Sequence, residues 1–193
     1  MLDARLSLAI ALLSLSAATG ASQTSQPSRQ GTIAETVDSW IGNTEQHLVP
    51  LADALPASKY AFAPPSRFGE FEGVRSFGDQ VKHLAANNYR AAALILGETP
   101  SGDMSDERGP DSVRTKAQIM RYLKGSFAAL HHAVGSIEPA NVTAPVATSS
   151  AWQRNRLSFA IDAIAHSFDH YGQMVEYARM NGIIPPDSRP RSP

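Results

Sequence analysis

The 193-residue chain has no cysteine at all. That removes disulfides, catalytic thiols, thiolate metal ligands and a lipid-anchored amino terminus together. Any metal must therefore be held by nitrogen and oxygen. Charge of one sign is also missing: 17 Lys and Arg stand against 18 Asp and Glu, a formal net charge of −1. Such a balance supplies no basic field for a phosphate backbone, and nucleic acid is excluded as a partner. Segments with the two-residue alternation of a half-buried strand are absent too, and so are internal repeats. At 42% hydrophobic and 18% charged residues, one soluble domain with a core is expected.

The longest apolar run is near the start. Residues 1–22 carry Arg5, then LSLAIALLSLSAA, then the small residues of TGAS. This is the build of a secretory signal peptide, with cleavage expected near Ala21 or Ser22. The run is too short to span a hydrocarbon layer about 30 Å thick, so no stable membrane anchor is expected after cleavage. The mature protein is expected to be exported, periplasmic or secreted. Residues 23–31, QTSQPSRQG, are polar and aperiodic and read as a flexible linker.

From residue 32 the apolar pattern takes steps of three and four. Thr32 to Leu55 places Ile33, Val37, Trp40, Thr44, Leu48, Leu51 and Leu55 on one stripe, with Pro50 predicting a kink or an early stop near Val49. Pro56 to Arg75 is a proline- and glycine-punctuated loop whose aromatics Tyr60, Phe62, Phe68 and Phe71 are expected to pack on the nearest helix. Ser76 to Leu96 begins with a cap-like serine and buries Phe77, Val81, Leu84, Ala92 and Ile95. An acidic, turn-rich loop, Gly97 to Ser112, comes next.

A third helix is expected from Thr115, with Gln118 completing a capping box and Ile119, Leu123, Phe127, Leu130, Val134 and Ile137 facing inward. After the connector Glu138 to Ser150, a fourth is expected over Trp152 to Asn181, stopped by Gly182 and by Pro185-Pro186. Four helices without strands predict an all-α four-helix bundle over residues 32–186, with 187–193 as a tail.

All six histidines fall in or beside these helices. His166 and His170 differ by about 40° around the helix axis and about 6 Å along it, so both rings can converge on one ion. The segment H-S-F-D-H lacks the glutamate of the zinc-protease motif, and no Glu-x-x-His exists for a di-iron site. What survives is three neutral histidines from two helices, with open coordination positions. On helical geometry alone, His47 and His83 are equal candidates for the third. His131 and His132, in a last helical turn, read as structural or solvent-facing. Asp162 and Asp169 flank His166 and are candidates to orient it, although a solvent-facing role suits each as well. Gln173 and Tyr177 continue the same row and are candidates to line a pocket.

Two blocks, FGDQVKHLAANNY and, about 80 residues later, HSFDHYGQMVEYARMNGIIPP, resemble the DinB-like superfamily of metal-binding four-helix bundles. The resemblance implies one histidine from the second helix and an H-x3-H pair from the fourth, which map onto His83, His166 and His170. It also implies a divalent cofactor, zinc or nickel. Members include thiol S-transferases that use bacillithiol or mycothiol and a mycothiol-dependent maleylpyruvate isomerase. The export signal sets this chain apart from them, since such thiols are mainly cytoplasmic. The resulting expectation is a metal-dependent transferase or hydrolase acting on a small molecule; the alternative is a non-catalytic module of the same fold. A homodimer is compatible with either.

Overall fold

The computed structural model describes residues 31–100, 107–146 and 154–190. The expected signal peptide, all but Gly31 of the expected linker, part of the acidic loop, Trp152 and the last three residues of the expected tail lie outside the described residues. Four helices make up the domain: α1 (Ile33–Ala54), α2 (Phe77–Leu96), α3 (Lys116–Val134) and α4 (Arg156–Met180). Both α1 and α2 pack against α3 and α4, so α1 and α2 lie on one diagonal of a four-helix bundle. No helix among the described residues is long and apolar enough to cross a membrane.

Each helix starts where a side chain satisfies its free backbone donors. Thr32 accepts from the Glu35 amide at 3.0 Å while the Glu35 carboxylate accepts from the Thr32 amide at 2.8 Å, a complete capping box. Ser76 caps α2, and Thr115 with Gln118 caps α3 as expected. The fourth helix begins at Arg156, capped by Asn155 and Ser158, instead of at Trp152. Immediately before it, Arg154–Asn155 pairs antiparallel with Pro145–Val146, a two-residue ladder where no strand was expected. An extended N-cap residue can close such a ladder and open a helix at once.

Pro50 does not stop α1, which continues to Ala54. Leu51, Ala52 and Leu55 beyond it are fully buried, and their burial outweighs one missing donor. Other groups close the helix end. Tyr60 donates its hydroxyl to the Ala52 carbonyl at 2.7 Å. Lys116 donates to the carbonyls of Asp53 and Leu55 at 2.6 and 2.8 Å, placing a cation on the negative end of the helix.

Every inward-facing residue expected on α2, and every one expected from Ile119 to Ile137, is buried. The stripe on α1 departs from expectation. Ile41 is buried, while Trp40 and Ile33 are 55% and 45% exposed. Trp40 lies about 60° from the centre of the buried face at about 100° per residue, and Ile33 sits in the first turn, beyond the core.

Candidate metal centre

The loop between α1 and α2 forms one wall of the site. Phe77 and Gly78 donate their amides to the carbonyls of Phe62 and Tyr60, both at 2.8 Å, which lays the loop against the start of α2. A Cβ on Gly78 would come within 3.1 Å of the Tyr60 carbonyl, so any larger residue there would push the loop away by a few tenths of an ångström. Tyr60 is buried, and Phe62 meets the Tyr177 ring edge-on at 5.7 Å between centroids. Phe71 turns toward a cavity, whereas Phe68 is 56% exposed instead of packed on a helix.

His83 from α2 and His166 and His170 from α4 come together in the bundle. Their ring centroids are 4.6 to 4.9 Å apart. One nitrogen of each lies within 4.8 Å of the others, and Nε2 of His83 is 2.9 Å from Nε2 of His166. Three nitrogens bound tetrahedrally at about 2.0–2.1 Å from one ion stand about 3.3 Å apart, inside those bounds. The donor set fits a divalent ion.

Outer partners fix two of the rings. Nδ1 of His83 is 2.6 Å from the Glu107 carbonyl, which can only accept, so that nitrogen carries the proton and Nε2 keeps its lone pair. Nδ1 of His170 is 3.0 Å from Oε1 of Gln80. Gln80 is itself buried, 1% exposed. This leaves Nε2 of His170 as a second lone pair aimed inward. Nδ1 of His166 is buried with no hydrogen-bond partner.

All three imidazoles are held neutral. Burial lowers the pKa of His83; burial and then the neighbouring His83 lower that of His166. Burial, followed by the charges of the other two rings, brings His170 down to about 4. Three rings that disfavour protons, with one nitrogen of each within 4.8 Å of the others, make a candidate chelating set.

The remaining candidates separate from this centre. His47 lies 2.6 Å from the Asp187 carboxylate and packs against Phe168 and Tyr171, outside the cluster. His131 joins Asp38 at 2.5 Å and Glu45 at 3.3 Å, and His132 is exposed. Asp162 pairs with Arg154 at 3.0 Å and Asp169 accepts from Gln173 at 3.0 Å; neither hydrogen-bonds His166. Gln173 and Tyr177 do line a cavity of about 520 Å³ that reaches the cluster at His170. Gln80, one turn before His83 on α2, serves the His170 ring across the helix interface. The Glu107 contact runs through backbone and leaves no trace in residue type.

A family model described as the DinB superfamily matches residues 41–174. Comparison with curated proteins gives no match.

Proposed function

Since the chain belongs to the DinB superfamily, we propose that His83, His166 and His170 hold one divalent metal ion, zinc or nickel, in an exported transferase or hydrolase that acts on a small molecule. The observation that carries this reading is the convergence of three neutral imidazoles, two of them fixed from behind by oxygen acceptors. Three histidines leave open positions on the ion, which, when bound, acts as a Lewis acid and lowers the pKa of a water or thiol placed there.

The cavity supports catalysis over a purely structural role. A concave, largely apolar space of about 520 Å³ opens on His170, with Gln80, Gln173 and Tyr177 supplying polar groups. Gln80 holds the His170 ring, and the Glu107 carbonyl holds that of His83, so the chain's own part is to orient ligands and admit a substrate from one side. Export is supported by the charged head, apolar run and small residues of positions 1–22. Amino-terminal sequencing of protein from the culture medium or periplasm checks it, and an unprocessed cytoplasmic chain would refute it.

The test of the centre is metal analysis of the chain purified without a histidine tag and equilibrated with zinc or nickel. About one ion per chain is expected in the wild type and none after His83→Ala. A wild type that stays metal-free overturns the proposal.

A further inference from the structure

Arg75 is the cation of the cavity wall. It lies directly before the cap of α2, and its backbone is held in place because Tyr177 donates to its carbonyl at 3.3 Å. Among the described residues its guanidinium makes one long ion pair, 3.7 Å to the carboxylate of Glu107, whose side chain is 63% exposed. The carboxylate of the same wall, Glu176, is already paired with Arg179 at 2.7 Å. The apolar part of the same lining is Pro64, Phe71, Val74 and Met180. Arg75 and His170 line the same cavity, so the guanidinium and the histidine cluster share one space.

We infer that Arg75 is the anion-recognising residue of the site, and that the small molecule is an organic anion, a carboxylate on an apolar body. The inference rests on the small-molecule reading of the cavity above. A guanidinium in a partly apolar wall binds a carboxylate through two parallel hydrogen bonds, strengthened where water is excluded. The apolar part of the ligand covers Phe71, Val74 and Met180. Glu107, whose carbonyl also holds His83, occupies the guanidinium until the ligand displaces its carboxylate. Arg75 thus fixes which end of the ligand faces the histidines.

The test compares 4-phenylbutyrate with its uncharged amide by calorimetry, on the full chain in zinc-loaded and chelator-treated forms. The carboxylate is expected to bind the wild type about 10-fold or more tightly than the amide, the worth of a charged hydrogen-bonded pair. Arg75→Gln should erase that preference, and Arg75→Lys should keep part of it. Glu107→Gln should tighten carboxylate binding severalfold by removing the competitor. Arg75→Gln should also take up as much zinc as the wild type and melt at the same temperature.

The inference is overturned by any of three results: equal binding of the two probes, a preference that survives Arg75→Gln, or no binding of either probe at millimolar concentration. A preference present only with zinc and indifferent to residue 75 leaves the metal centre standing and removes this inference. An Arg75-dependent preference in a chain that takes up no metal does the reverse.

Discussion

Two sets of histidines occupy the same bundle and face different neighbours. On the α2–α4 seam, nitrogen faces nitrogen: His83, His166 and His170 crowd together, and their outer contacts are a carbonyl and an amide oxygen. On the seams that involve α1, nitrogen faces carboxylate. His131 on α3 is held between Asp38 and Glu45 of α1, and His47 of α1 meets Asp187 beyond α4. Both nitrogens of His131 are taken by carboxylates, and His47, with one nitrogen on Asp187, has no second imidazole grouped with it among the described residues. Three imidazoles gathered with no carboxylate bonded to them can instead turn a nitrogen of each toward a shared cation, an arrangement typical of binding sites.

The largest test of this contrast is to remove one ring from each set. His170→Ala should lower zinc affinity by more than about 100-fold, beyond the effect of losing an outer partner. His131→Ala and His47→Ala should bind zinc as the wild type does; equal losses across all three variants would dissolve the distinction. A finer cut is Gln80→Leu, which keeps all three rings but frees His170 to rotate. Zinc affinity should drop about 10- to 100-fold with the fold intact by circular dichroism, and an unchanged affinity would mean that the amide does not orient the ring.

The acid-paired set should respond in stability instead. His131→Ala should destabilise the metal-free protein by about 1 kcal/mol in urea unfolding, the scale of a half-exposed charged contact. A double-mutant cycle with Asp38→Asn should recover most of that as coupling energy.

Asp187 gives the smallest effect. Burial alone would raise its pKa, but hydrogen bonds from Tyr171 and His47 outweigh that and hold it below the ordinary carboxylate range. Its contribution is therefore present above that range and is lost as the pH falls below it, through the lowered pKa. Asp187→Asn should cost a few tenths of a kcal/mol near pH 7, and that difference should shrink steadily on acidification. A difference that grows on acidification would contradict the contact.

The helices were legible because capping boxes and three-four periodicity are local signals. Thr115 and Gln118 are three residues apart, and the inward face from Ile119 to Ile137 needs no knowledge of its partner. Failures came where tertiary context overrode local rules. Burial of Leu51 and Leu55 carried α1 past Pro50, and a two-residue ladder delayed α4 to Arg156. At the site, the spacing of His166 and His170 was readable from helical geometry. Choosing His83 over His47 was not, because that choice depends on which helix lies beside α4 at that height; family resemblance supplied it. The Glu107 carbonyl and Arg75 gave no signal because each acts through contacts formed only in the folded chain.

One contact has a consequence for how the chain folds. His83 and His166 are 83 positions apart in sequence yet 2.9 Å apart in space. In the unfolded chain only the His166–His170 pair is local, so an ion held by all three would close a long loop, and loop closure of that length strongly restricts the unfolded ensemble. A chain that cannot form a single disulfide would thus own a reversible staple, fastened by loading with metal and undone by a chelator, with no covalent bond altered.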